Sequence, residues 1–358
     1  MLEGTIVWSA FAFFGLVIII TGPRLSRYGD AIAEKTGLES SWIGIILLAL
    51  VTSLPEVATS STAAILKLPD VVFGNVFGSN LFNVLIIGIL DIASPRPALL
   101  ERARRNNLLI SSFGIKMMAV ALLPLVLYNL PGLNIVPVTL FGVVDLSSII
   151  IILFYIIGMR MIFQQESVND ETKSSDQELK YASISSRKTF ISFSFLAVII
   201  VASGIFMSIL ADKISNYEIP VDGGIPIGQS LVGIILLAVV TSLPELMVSY
   251  GAVKIGAVNM AVGNVLGSNM FNMLIIGIAD FFYSTGSILS RPTVEGAARV
   301  TGLSSNLLVG LCGIVMLAVI SSKLSFRFKR GNRISFSTPV LFAIFLMCYV
   351  ILFYLNFG

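Results

Sequence analysis

The chain has 358 residues, of which 56% are hydrophobic and only 12% charged, with a net charge of +3. A soluble domain dresses its surface with about 25% charged residues, so most of this surface must face something other than water. Apolar runs of about 20 residues recur along the whole length, long enough to cross a hydrocarbon core as helix, while the short alternating segments of a membrane β-barrel do not.

In chain order the first apolar run, Ile6 to Ile20, reads as a transmembrane helix and not a secretory signal. No Lys or Arg precedes it and no small-residue cleavage pattern follows. The apolar runs predict ten helices. The first five lie near 5–22, 41–66, 71–93, 107–129 and 137–162, and the second five near 190–211, 227–253, 258–283, 300–321 and 336–356. Between the two sets lies the one long polar stretch, Gln164 to Lys188, read as a solvated linker too short to fold as a regulatory domain. The expected division is therefore a first five-helix repeat over 1–163, a cytoplasmic linker over 164–188 and a second five-helix repeat over 189–358. The fold class is an all-α integral membrane protein.

Basic residues set the expected orientation. Arg24, Arg27 and Lys35 follow helix 1, and Arg96, Arg102, Arg104 and Arg105 follow helix 3. Arg160, Lys173, Lys180, Arg187 and Lys188 follow helix 5, and Lys323, Arg327, Lys329, Arg330 and Arg333 follow helix 9. The opposite loops hold Lys67, Lys213, Arg291 and Arg299. By the positive-inside rule both termini are expected outside, in a multi-pass protein of the plasma membrane. Lys116, within helix 4, is expected to snorkel toward the cytoplasmic end. Cys312 and Cys348 have no metal-ligand spacing and read as small buried side chains. Histidine is absent, which removes the usual zinc ligand and proton relay.

The stretch Ser41–Asp91 aligns without a gap onto Ser230–Asp280 at a constant offset of 189. GIILLALVTSLPEVATS (44–60) matches GIILLAVVTSLPELMVS (233–249), and GNVFGSNLFNVLIIGILD (74–91) matches GNVLGSNMFNMLIIGIAD (263–280). Each half carries this motif on its second and third helices. Five helices is an odd number, so the second half must enter the membrane from the other side. Such inverted repeats place a transporter's substrate site near the midplane where they meet.

The duplicated residues are polar. Thr52, Ser53, Glu56 and Ser60 fall broadly on one helix face, mirrored by Thr241, Ser242, Glu245 and Ser249. Pro55 cannot donate to the Val51 carbonyl, nor Pro244 to that of Val240, so oxygens are released beside each glutamate. A charged side chain at helix centre costs roughly 2.5–3.5 kcal/mol on insertion scales, and no intramembrane Arg or Lys is placed to neutralise Glu56 or Glu245. A bound cation is the simplest countercharge. Ser79 and Asn83, like Ser268 and Asn272, stand one turn apart and add hydroxyl and amide oxygens. For Asn75, Asn264, Asn80 and Asn269, ligation and interhelical hydrogen bonding stand as alternatives. The glycines Gly74, Gly78, Gly263 and Gly267 suit close helix packing. Asp91 and Asp280 read as caps or as vestibule residues, and Asp145 as interfacial. A cage of oxygens without nitrogen or sulfur suits hard cations such as Ca²⁺.

TSLPE followed by GNVxGSNxFN, present twice in a ten-helix chain, closely resembles the α-repeats of the sodium/calcium exchanger family. The resemblance implies a core of helices 2, 3, 7 and 8, with helices 1 and 6 sliding across it. It implies ion ligands at Thr52, Ser53, Glu56, Ser79 and Asn83, and at Thr241, Ser242, Glu245, Ser268 and Asn272, with backbone carbonyls at Ala49 and Ala238. Asn272 is an aspartate in some prokaryotic relatives, and two asparagines here leave two site carboxylates, favouring potassium-independent exchange. The expected function is Na⁺/Ca²⁺ antiport by alternating access at a shared midplane site. The alternative is H⁺/Ca²⁺ antiport on the same glutamates. A cation channel fits two inverted repeats meeting at one cluster less well, and no nucleophile–base pair suggests an enzyme. The expected partners are Ca²⁺, Na⁺ and the lipid bilayer, with no cofactor, no nucleic acid and a monomeric chain.

Overall fold

The computed structural model describes residues 2–95, 97–104, 106–128, 136–140, 142–170, 180–215, 238–284, 286–290, 305–326 and 334–357. Outside them lie 227–237 of the expected seventh helix, 300–304 of the ninth and 171–179 of the polar stretch. Lys173, Lys329, Arg96, Arg105, Arg291, Arg299, Arg327, Arg330 and Arg333 lie outside them too.

Among the described residues the architecture is all-α apart from an antiparallel ribbon of two two-residue strands, β1 (Thr139–Leu140) with β2 (Val144–Asp145). The first half contains α1 (Leu2–Thr36), α2 in two segments (Ser40–Thr52 and Leu54–Ile65), α3 (Pro69–Ala93), α4 (Asn107–Leu127) and α5 (Leu146–Asp170). The second half contains α6 (Ser186–Ser215), α7 (Leu243–Lys254), α8 (Val258–Phe282), α9 (Ser305–Ser325) and α10 (Ser337–Phe357). Eight of these are single helices long and apolar enough to cross a membrane, and α2 is a ninth if its two segments count as one span. Helix α7 is described from its break onward, with 238–241 helical before it. The chain is a membrane protein of ten helices in two inverted repeats.

The offset seen in the sequence holds in space. The second segment of α2 maps onto α7, and α3 onto α8, with both ends of each shifted by the same 189 residues. Helices α3 and α8 are the innermost, with 83% and 72% of their apolar windows buried against 17% for α1. Helix α3 packs on α8, α9 and α10, and α8 on α2, α4, α5 and α7. Helix α1 lies along α6 and α7 at the periphery.

Small residues set the closest approaches. A methyl group on Gly44 would lie 2.3 Å from the Met260 carbonyl oxygen, and one on Gly267 2.6 Å from that of Ile45, so α2 and α8 touch backbone to backbone. The stretch Ile43–Leu48 is π-helical, a widened turn just ahead of the motif. A methyl on Gly251 would meet the Pro23 Cα at 2.4 Å, which draws α1 onto α7.

Several boundaries differ from expectation. Helix α1 continues to Thr36 and does not stop near residue 22, with Pro23 inside it. Beyond the proline, Ser26 donates to the Val248 carbonyl on α7. Asp30 and Glu34 are then held by residues between α5 and α6: the Tyr181 hydroxyl donates to Asp30 at 3.0 Å, its amide to Glu34 at 2.8 Å, and Lys180 reaches Asp30 at 3.3 Å. Helix α5 starts at Leu146, not near 137, because Thr139–Leu140 and Val144–Asp145 pair as the ribbon, and it continues to Asp170. Helix takes up both ends of the polar stretch, since α6 begins at Ser186. Lys116 lies near the middle of α4 and is exposed, with its ammonium 4.9 Å from the centroid of Phe113, one turn nearer the helix N-terminus. Cys312 and Cys348 are free and buried.

Candidate cation site

Both α2 and the helix leading into α7 break at the serine of the TSLPE motif. Ser53 has φ −91° and ψ 4°, and Ser242 has φ −88° and ψ 4°. The proline two residues later cannot supply an N–H to the preceding turn, so the axis bends, by 45° in α2. Each glutamate then stands in the first turn of the following helix, Glu56 in α2 and Glu245 in α7.

All ten side chains implied as ligands are buried: Thr52, Ser53, Glu56, Ser79, Asn83, Thr241, Ser242, Glu245, Ser268 and Asn272 each have 0% exposure. The two repeats interlock around them. Ser53 donates to Glu245 at 3.0 Å, and Ser268 to the same oxygen at 3.4 Å. The Ser79 and Thr241 hydroxyls meet at 3.0 Å, and those of Thr52 and Ser268 at 3.4 Å. The Ala49 carbonyl takes the Ser53 amide at 3.0 Å and the Thr52 hydroxyl at 3.4 Å. The Ala238 carbonyl takes Ser242 and Thr241 in the same way, at 3.2 and 3.4 Å.

What these side chains lack is informative. Both Glu56 carboxylate oxygens, one of Glu245, both amide atoms of Asn83, the Asn272 carbonyl oxygen and the Ser242 hydroxyl have no hydrogen-bond partner among the described residues. Native interiors leave few polar atoms unsatisfied, and each exception calls for an explanation. Among the described residues no Lys or Arg forms an ion pair with either glutamate. The donor chemistry is carboxylate, hydroxyl, amide and carbonyl oxygen, which fits a hard cation.

The other duplicated asparagines are tied up between helices. Asn75 donates to Ser60 at 2.9 Å and to the Glu56 carbonyl at 3.4 Å, and Asn264 repeats both bonds with Ser249 and Glu245. Asn80 and Asn269 exchange amide-to-carbonyl bonds across the repeat interface, each at 3.3 Å. Asn272 also donates to the Asn80 side chain at 3.0 Å, and Asn83 makes no matching bond.

The duplicated aspartates resolve as caps. Asp91 accepts from the Leu99 and Ser335 amides and the Thr338 hydroxyl, all at 2.6 Å, at the entry to α10. Asp280 accepts from the Ile288 and Asp145 amides and the Ser148 hydroxyl, all at 2.7 Å, at the entry to α5. Asp145 directly precedes α5 and is fully buried: its carboxylate takes the Tyr128 hydroxyl at 3.1 Å and Ser287 at 3.3 Å. The apolar residues around it in sequence gave no sign of those partners.

Known proteins match this chain over three quarters or more of its length. It is 26% identical over 290 residues to the sodium/calcium exchanger MaX1 of Methanosarcina acetivorans, covering 75% of this chain and 81% of that one. It is 24% identical over 280 residues to the inner membrane protein YrbG of Escherichia coli, covering 75% and 77%. A solved structure of the sodium-calcium exchanger NCX_Mj shares the fold, with a TM-score of 0.63 at 21% identity over 97% of this chain and 98% of that one. The family model described as sodium/calcium exchanger protein matches residues 6–164 and 187–355, one match on each repeat, so the chain belongs to the sodium/calcium exchanger family.

Proposed function

We propose that this antiporter exchanges Ca²⁺ for Na⁺ at one site that both repeats build, with Glu56 and Glu245 as the charged ligands. The observation that carries this is the pair of fully buried glutamates, with three of four carboxylate oxygens lacking a hydrogen-bond partner and no ion-paired Lys or Arg among the described residues. Two carboxylates neutralise one Ca²⁺, while the surrounding hydroxyls and the Ala49 and Ala238 carbonyls suit Na⁺ once calcium has left. Neither ion can use the carboxylates fully while the other holds them, so occupancy by one favours release of the other. Asn83 and Asn272 add oxygens without charge. Both termini lie outside the plasma membrane in this reading, which follows the distribution of loop lysines and arginines.

Liposomes carrying the purified protein and loaded with Na⁺ should take up radioactive Ca²⁺. Glu56→Gln and Glu245→Gln should each reduce uptake to the level of empty liposomes. Uptake driven by a pH gradient and not by Na⁺ would transfer the assignment to proton/calcium antiport. Calcium flux with no counter-ion on the other side would indicate a channel.

A further inference from the structure

Asn75 and Asn264 are fixed by hydrogen bonds that are identical in length in the two repeats. Each amide nitrogen lies 2.9 Å from a serine hydroxyl, Ser60 or Ser249, and 3.4 Å from the backbone carbonyl of Glu56 or Glu245. That serine stands one turn beyond the glutamate on the same helix. The amide thus grips two points on one face of the turn that carries the carboxylate. The gripping atom is the amide nitrogen, which is a donor only and cannot ligate a cation; the side-chain oxygen of Asn264 accepts from Thr52, and that of Asn75 is buried with no hydrogen-bond partner among the described residues.

The grip sits where the helix is weakest. The break at Ser53 or Ser242 and the missing proline N–H thin the backbone ties between the first turn and the turn before it, although the serine carbonyl still takes the Val57 or Leu246 amide at 3.1 Å. Without a lateral anchor the segment could rotate and swing the carboxylate. Asn75 on α3 and Asn264 on α8 supply the anchor from a neighbouring, deeply buried helix. Asn264 also accepts from the Thr52 hydroxyl at 3.5 Å, which links its repeat to the other one.

We infer that Asn75 and Asn264 are positioning residues of the cation site, acting through their amide nitrogens with Ser60 and Ser249 to set the orientation of the two glutamates. This rests on the reading of Glu56 and Glu245 as ion-binding carboxylates. Groups that orient ligands from behind typically change metal affinity by about 10–100-fold when removed.

The test is a double-mutant cycle on the full-length protein in detergent, read as equilibrium binding of Ca²⁺ and, separately, of Na⁺. Unfolding temperature without added cation checks that each variant is folded. Asn75→Ala and Ser60→Ala should each weaken binding at least about tenfold, and the double variant should be no weaker than the worse single one. Ser60→Thr, which keeps the hydroxyl, should bind as the unaltered protein does. Should Asn75→Ala fail to fold, Ser60→Ala and Ser60→Thr carry the test alone. Unchanged affinity in Ser60→Ala, or additive losses in the pair, would overturn the positioning role. Glu56→Gln separates the two readings. If it abolishes binding while Ser60→Ala does not weaken it, the positioning role alone falls. If Glu56→Gln leaves binding intact, both fall.

Discussion

Asp91 and Asp280 each gather three donors, and in each case two come from the opposite repeat. A buried carboxylate that accepts three hydrogen bonds stabilises the start of a helix it does not belong to. Asp91→Ala would strand the Ser335 and Leu99 amides and should cost about 3 kcal/mol in equilibrium unfolding, with Asp91→Asn losing less because it still accepts. A loss under about 0.5 kcal/mol would contradict the clasp. Lys67 invites the opposite experiment. It closes the helix end of α2 at φ 63°, where the second repeat has Gly256 at φ 84°. Lys67→Gly should therefore stabilise by about 1 kcal/mol, and Gly256→Lys should cost a similar amount. At this scale the sequence pointed to the right residues more often than to their partners. The duplication singled out Asp91, Asp280 and the six asparagines of the motif. The Asp91 contacts near Ser335 lie far along the chain in a segment with no motif, so nothing local could reveal them.

Among the elements, helix α1 shows most plainly what sequence patterns miss. Gly22–Pro23 reads as a stop because proline removes a donor and blocks the turn before it. In the fold, α7 offers Gly251 and the Val248 carbonyl at that height, so the helix is held through its proline. Its extension to Thr36 depends on Tyr181 and Lys180, two residues of a polar stretch with no helical pattern. Burial, with the Asp30 carboxylate next, pushes the Tyr181 hydroxyl above its ordinary value of 10.0. The protonated form is the one the fold favours. Its contribution is complete below about pH 10 and is lost only as pH rises past the folded value. Asp30→Asn should raise amide hydrogen exchange over residues 24–36 and leave α3 unchanged, with unaltered exchange as the contrary result. Gly251→Ala tests the other anchor. Its methyl would press on the Pro23 backbone, and the expected cost is about 1–3 kcal/mol in thermal or chemical unfolding. Helices α3 and α8, by contrast, were legible almost to the residue because their apolar runs are long and their motif is doubled.

Across the whole molecule, two inverted repeats meet at α2, α3, α7 and α8 and enclose the duplicated polar residues between them. The repeats are alike in sequence but unequal in contact. Glu245 accepts from Ser53 and Ser268, while neither Glu56 oxygen has a hydrogen bond of that length among the described residues. Helix α1 presses on α7 through Gly251, whereas α6 meets α2 where Gly204 faces Pro55. The number of cation sites distinguishes one shared cage from two separate half-sites. Equilibrium binding of radioactive Ca²⁺ to the purified protein, with Na⁺ as competitor, measures that number directly. A shared cage predicts one Ca²⁺ per chain, displaced by Na⁺, and complete loss of binding in either Glu56→Gln or Glu245→Gln. Two Ca²⁺ per chain, with each substitution removing one and sparing the other, would contradict it.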